Sequence, residues 1–237
     1  MNFNSIDVFL FDIEGTTSPI SFVHEVMFPY SKRELSAYLQ NNGLSTEVYI
    51  LLKEEYKKDR QQNIYTAELE YTNRQSIENY LKFLIQVDRK STALKEIQGK
   101  IWKKGFESGE IQSILYEDVP PFFEKIKENQ KRIGIYSSGS IEAQKLVFRF
   151  SNRGDLSSYI SYYFDTKIGA KREANSYKEI AKQVNISAEK ILFFTDIKEE
   201  AEAAQEASIR AIILNRPGNT EQGLHNFSIL HNFQEFS

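Results

Sequence analysis

The 237-residue chain carries 30 Lys and Arg against 33 Asp and Glu, and its net charge of −3 leaves no electrostatic footprint for nucleic acid or an anionic membrane. It has no cysteine, which excludes disulfides, thiolate zinc sites and cysteine nucleophiles. With 41% hydrophobic and 27% charged residues, 17 Phe and 13 Tyr, the composition is that of a soluble globular protein with a well-packed core.

The N-terminal Met1-Asn2-Phe3-Asn4-Ser5 has neither the basic start nor the apolar run of a signal peptide, and no apolar segment approaches membrane-spanning length. The expectation is a cytoplasmic protein. Val8-Phe9-Leu10-Phe11 then reads as a short strand buried on both faces. It stops abruptly at Asp12, Ile13, Glu14, Gly15, Thr16 and Thr17. A buried strand that delivers a carboxylate at its C-terminal end puts it in the crevice where open α/β sheets bind ligands.

For roughly a hundred residues the pattern is helical. Pro29 suits the first turn of a helix carrying Leu35, Tyr38 and Leu39 and ended by Asn41-Asn42-Gly43. Thr46 is read as the cap of a second helix, Asn73 of a third with the stripe Ile77, Tyr80, Leu81, Leu84 and Ile85, and Ser91 of a fourth through Trp102. Trp102 and the Tyr/Leu stripes are assigned to a bundle core, and Glu54-Glu55 with Lys57-Lys58-Asp59-Arg60 to a solvated helix face. From Pro120-Pro121 the texture becomes alternating helix and strand. Helices are expected over 122–129, 141–150, 175–184 and 199–207, and strands over 132–136, 162–164, 191–194 and 211–214. Arg216-Pro217-Gly218-Asn219 reads as a plain turn, and the sequence beyond Gly223 gives no clear pattern. The fold class is therefore α/β: a doubly wound, parallel-sheet, Rossmann-like core (residues 1–20 and 116–237) with an inserted helical cap (21–115).

Several strand ends carry reactive groups: Asp12 with Glu14, Ser137 with Ser138, and Asp196, while Lys171 follows another strand closely. In a parallel sheet these ends share one edge. Asp12 and Asp196 are hard oxygen ligands suited to Mg²⁺. Ser137-Ser138-Gly139 ahead of a helix offers hydroxyls and N–H groups to an anion. Lys171 would offset a phosphoryl group and a nucleophilic carboxylate, and an aspartate so placed can form an aspartyl-phosphate. For Asp196 the competing reading is a simple helix cap. His225 and His231 lack helical ligand spacing, and His24, where the insert begins, is assigned to the surface or hinge rather than to the pocket mouth.

Phe11–Thr17, Tyr136–Ser140, Gly169–Glu173 with Ser176-Tyr177, and Thr195-Asp196 together resemble the enolase-phosphatases of the haloacid dehalogenase superfamily. Phe28-Pro29-Tyr30 and Glu200-Ala201 with Ala203-Ala204 add to the likeness, which runs from the first strand to about Asn219. The resemblance implies Asp12 as nucleophile and Mg²⁺ ligand, Asp196 as a second ligand, and Ser137 and Ser138 as phosphate-binding groups. Lys171 would hold substrate and developing charge. Most of the superfamily's phosphatases carry Asp at the position of Glu14; the enolase-phosphatases carry Glu. Glu14 either protonates the leaving oxygen and then activates water, or meets the metal only through its backbone carbonyl. The implied reaction enolises and then dephosphorylates a small diketone, 2,3-diketo-5-methylthiopentyl-1-phosphate, to the acireductone of methionine salvage, with one Mg²⁺ per chain. Glu14 or a group from the inserted helices would remove the carbon-bound proton, and the cap would exclude water. A monomer is expected. The rival readings are a related phosphatase of another small phosphate ester and a receiver-like phosphoacceptor without turnover.

Overall fold

The computed structural model describes residues 3–236. Its backbone divides into two compact units, one running through Val23 and resuming at Gln112, the other formed by His24–Ile111. The first is built on a six-stranded parallel sheet, ordered β3-β2-β1-β4-β5-β6. The strands are β1 (Val8–Phe11), β2 (Arg132–Tyr136), β3 (Ile160–Phe164), β4 (Ile191–Thr195), β5 (Arg210–Leu214) and β6 (Ser228–Leu230). β1 pairs with β2 on one side and β4 on the other, so the strand order reverses between β1 and β4. The residues following these two strands flank the topological switch point, where such sheets bind ligands.

Because side chains alternate across a strand, β1 feeds two apolar layers. Val8 and Leu10 join Tyr136, Tyr177, Ile180, Ile191 and Phe193 beneath α7 (Ala174–Val184) and α8 (Lys198–Glu206). Phe9 and Phe11 face the opposite way, into rings from α5 (Val119–Glu128), Phe194 of β4 and the C-terminal segment. The remaining helix of this unit, α6 (Ile141–Arg149), is capped by the Ser140 hydroxyl, which accepts from the Ala143 N–H at 3.3 Å.

The second unit contains α1 (Phe28–Asn42), α2 (Thr46–Gln61), α3 (Arg74–Gln86) and α4 (Thr92–Ser108). Pro29 lies in the first turn of α1, Asn73 caps α3 and Ser91 caps α4. The α3 stripe Ile77, Tyr80, Leu81, Leu84 and Ile85 is buried, and the Trp102 indole N–H donates to the Met27 carbonyl at 2.8 Å.

The structure corrects several local expectations. Ser45, not Thr46, caps α2, because its extended backbone lets the hydroxyl accept from the Val48 N–H. Pro120 and Pro121 do not precede a helix; they sit in the first turn of α5, where a missing N–H costs nothing. Asp59 is not on a solvated face. It is buried and takes the Tyr80 hydroxyl at 2.8 Å and the Arg89 guanidinium at 3.0 Å, a pairing made by residues 21 and 30 positions away. The unpatterned tail supplies β6, which pairs parallel with β5, and Phe233.

Phe233 is 2% exposed, with ring centroids 5.4, 4.8 and 5.3 Å from those of Phe11, Phe122 and Phe194. Phe233→Ala should therefore destabilise the core by about 3–5 kcal/mol, read by denaturant unfolding. A loss no larger than that of a surface substitution would show that the tail is not part of the core.

Candidate active site

The loop after β1 folds back on itself. Thr16, Thr17 and Ser18 all direct their N–H groups to the Ile13 carbonyl, and the Gly15 N–H donates to the Ser18 carbonyl at 2.8 Å. The Thr17 hydroxyl donates to the Asp12 carbonyl at 3.2 Å. This places Asp12, 5% exposed, just past the end of β1, its N–H bonded to the Phe194 carbonyl of the neighbouring strand. Gly15 is required here. Its φ is +69°, and a Cβ would lie 2.3 Å from Asp196 Oδ2. Gly15→Ala should lower both turnover and stability, the backbone alone costing about 1–2 kcal/mol. A fully active, equally stable variant would mean that the loop yields freely.

Lys171 reaches the same point from the loop after β3. Its ammonium is 2.7 Å from Asp12 Oδ1 and 2.7 Å from Glu200 Oε2, with all three side chains buried. The lysine loop is held from three sides. The Tyr136 hydroxyl donates to the Gly169 carbonyl at 2.9 Å, the Ser176 hydroxyl to the Ala170 carbonyl at 2.8 Å and the Tyr177 hydroxyl to the Lys171 carbonyl at 2.7 Å. Gly169, at φ +142°, admits Ser176 Oγ where a Cβ would be. Glu200 is the residue that the sequence reading left out of the site. It lies in the first turn of α8 and also accepts the Thr195 hydroxyl at 2.7 Å; its sequence signals are its place four residues after Asp196 and the Glu200-Ala201 pair of the family likeness.

Asp196, 4% exposed, follows β4 directly. It is not a cap: Ile197 holds the N-cap position of α8, with no side-chain cap bond. Burial, and after it the Glu200 charge, outweighs Lys171 and pushes the Asp196 carboxyl up to about 7. Burial likewise raises Asp12 well above the ordinary carboxylate range despite Lys171, with Glu200 and Asp196 adding repulsion.

Ser137 is buried beyond β2, and its hydroxyl accepts from the Gly139 N–H at 3.3 Å; Ser138 beside it is half-buried, ahead of α6. The Gln144 amide stiffens this turn by donating to the Gly139 and Phe164 carbonyls, both at 2.8 Å. Glu14 is half-buried, two residues past Asp12. The predicted residues thus follow four parallel strands of one sheet. Two histidines are engaged in the C-terminal segment, where His225 Nδ1 accepts from the Phe227 N–H and the His231 ring meets the Asn215 carbonyl.

A family model for haloacid dehalogenase-like hydrolases matches residues 6–208. A protein named enolase-phosphatase E1 from Leptospira borgpetersenii is 49% identical over 98% of each chain. One of the same name from Drosophila persimilis is 42% identical over 96% of this chain and 95% of its own. The crystal structure of the UTR4 protein of Saccharomyces cerevisiae superposes with a TM-score of 0.77 at 32% identity, covering 97% of this chain and 99% of that one. CbbY of Rhodobacter sphaeroides, at 16% identity and a TM-score of 0.58, shares the fold. The chain belongs to the haloacid dehalogenase-like hydrolases and, within them, to the enolase-phosphatase family.

Proposed function

We propose that this protein is a Mg²⁺-dependent bifunctional enolase-phosphatase of methionine salvage that works through an aspartyl-phosphate on Asp12. The observation that carries the reading is the buried Asp12 carboxylate at the switch point, with the Lys171 ammonium 2.7 Å from its Oδ1. Full-length similarity to proteins named enolase-phosphatase E1 supports the choice of substrate.

Among the described residues the site sets one ammonium, Lys171, against the carboxylates of Asp12, Asp196 and Glu200. That excess of negative charge fits one divalent cation. No group of three or more His, Cys, Asp or Glu side chains among the described residues forms a cage. Mg²⁺ requires none, since it takes one or two carboxylates with water and phosphate oxygens. Asp12 and Asp196 would hold it, joined by Glu14 through its carboxylate or backbone carbonyl. When bound, it supplies charge neutralisation and polarises substrate oxygens.

Ser137, Ser138 and the N–H groups at the start of α6 bind the substrate phosphate. Glu14 takes the proton from the carbon beside the diketone, and Lys171 stabilises the oxyanion that develops. Asp12 then attacks phosphorus. The bond from phosphorus to the enol oxygen breaks, and that oxygen leaves with the electron pair and is protonated by Glu14. The Glu14 carboxylate next takes a proton from water, whose oxygen attacks phosphorus and frees Asp12. The helical unit serves as the cap, and the enzyme acts as a cytoplasmic monomer.

Anaerobic turnover of the diketo phosphate, with enol absorbance and phosphate release followed in parallel, tests the reading. Enol formation followed by phosphate, both abolished by chelator, is expected. Hydrolysis of simple phosphate esters with no reaction of the diketone would overturn the substrate and leave the nucleophile standing.

A further inference from the structure

The turn after β5 reads from sequence as plain punctuation, yet its side chains are directed at the nucleophile loop. The Asn219 amide nitrogen donates to the Gly15 carbonyl at 2.9 Å and to the Leu214 carbonyl at 3.0 Å. Both partners are carbonyl oxygens, so the amide must present its NH₂ to them. Its Oδ1 is then buried without a hydrogen-bond partner. Leaving such an acceptor unpaired costs about 1–3 kcal/mol, which is poor design for a residue whose purpose is stability.

Arg216 acts on the next carbonyl. The guanidinium is buried, and its Nε donates to the Thr16 carbonyl at 3.2 Å. Its Nη1 pairs with Asp118 Oδ2 at 2.8 Å, and the group lies over the rings of Tyr116 and Phe233, 4.3 and 4.8 Å from their centroids. One turn thus grips two successive carbonyls of the loop that carries Asp12 and Glu14. The peptide before them is fixed by its N–H, since Gly15 donates to the Ser18 carbonyl. A peptide's C=O points opposite its N–H, so these bonds together set the direction of the Glu14 carbonyl.

We infer that Asn219 and Arg216 form a clamp that positions the nucleophile loop, holding the Glu14 carbonyl and Asp12 toward the cation and the phosphoryl group. They are positioning residues and do not touch the reacting atoms. The inference rests on the enolase-phosphatase reading of the site.

Asn219→Ala removes the grip on Gly15 without leaving a charge behind. Arg216→Lys keeps a charge opposite Asp118, but a single ammonium cannot reproduce the forked contact that also holds Thr16. In both variants kcat should fall roughly 10–100-fold, with KM for the diketo phosphate little changed because Ser137, Ser138 and Lys171 are untouched. Mg²⁺ affinity, measured by calorimetry on the substrate-free protein, should weaken by a similar factor. Should Asn219→Ala fail to fold, Arg216→Lys carries the test. Folded variants with kcat and Mg²⁺ affinity indistinguishable from wild type, whatever their melting temperatures, would reduce the clamp to a structural turn and overturn the inference. A wild-type protein that binds no Mg²⁺ and leaves the diketone intact would instead overturn the reading of the site, and the clamp's purpose with it.

Discussion

Asp12→Asn should give a folded protein that releases phosphate slower by roughly 10⁴-fold or more. The carboxamide keeps the shape of the carboxylate, and its oxygen can still accept the Ile13 N–H that Asp12 Oδ1 takes at 2.7 Å. What it lacks is the negative charge that makes the carboxylate oxygen nucleophilic enough to attack phosphorus. The fold should not suffer. Lys171 retains Glu200 at 2.7 Å, so the amide leaves no unpaired ammonium. Burial raises the Asp12 pKa, which means that the folded state disfavours its ionised form. A carboxyl whose pKa is higher in the folded state than in the unfolded one lowers stability as pH climbs from the second value to the first, and that loss persists above both. The neutral amide removes the loss. In metal-free protein at neutral pH the variant should melt no lower than wild type, and higher if the unpaired share of the carboxylate's cost dominates. Loss of turnover with an unchanged or raised melting temperature is the expected pair of results. Near-normal phosphate release would remove Asp12 as nucleophile, and collapse of the fold would show that the carboxylate is structural.

How much of this was legible in the chain follows from how local each signal is. Val8–Phe11 is a short apolar run, Arg132–Tyr136 is uncharged after its first residue, both are ended by polar residues, and the structure places both strands within those bounds. Asn73 and Ser91 are caps whose partners lie three residues on, so sequence spacing contains the whole interaction. Asp59 fails the same reading because the groups that bury it, Tyr80 and Arg89, come from elsewhere in the chain, and a charge run carries no mark of them. β6 has only three residues and just one half-buried side chain, so it shows neither an apolar run nor an alternation. In the site, Asp12, Ser137, Lys171 and Asp196 follow strand ends and could be collected by topology. Glu200 and Asn219 could not. Each matters because of a contact across the fold, to Lys171 and to the Gly15 carbonyl; the Glu200-Ala201 motif marks a family likeness without showing that contact, and nothing local separates Asn219 from an ordinary turn amide.

Lys171→Ala should have the largest combined effect, on stability and on catalysis alike. The ammonium is the shared partner of Asp12 and Glu200, and its removal leaves both carboxylates buried against each other. Breaking a buried pair from one side costs about 3–5 kcal/mol. Loss of the cation from the developing oxyanion should also cost roughly 10²–10³ in kcat. The two losses can be separated, because they depend on different neighbours. Adding Glu200→Gln to Lys171→Ala removes one of the stranded charges and keeps an amide oxygen for the Thr195 hydroxyl, which Glu200 accepts at 2.7 Å. The double variant should therefore be more stable than Lys171→Ala alone, a coupling that denaturant unfolding of all four members of the cycle would measure. Turnover should not recover with it, since a neutral site is no substitute for a positive charge aimed at the reacting oxygens. If activity returned along with stability, Lys171 would be a charge-balancing residue of the core, and the stabilisation of the oxyanion would have to come from the cation and the start of α6 alone.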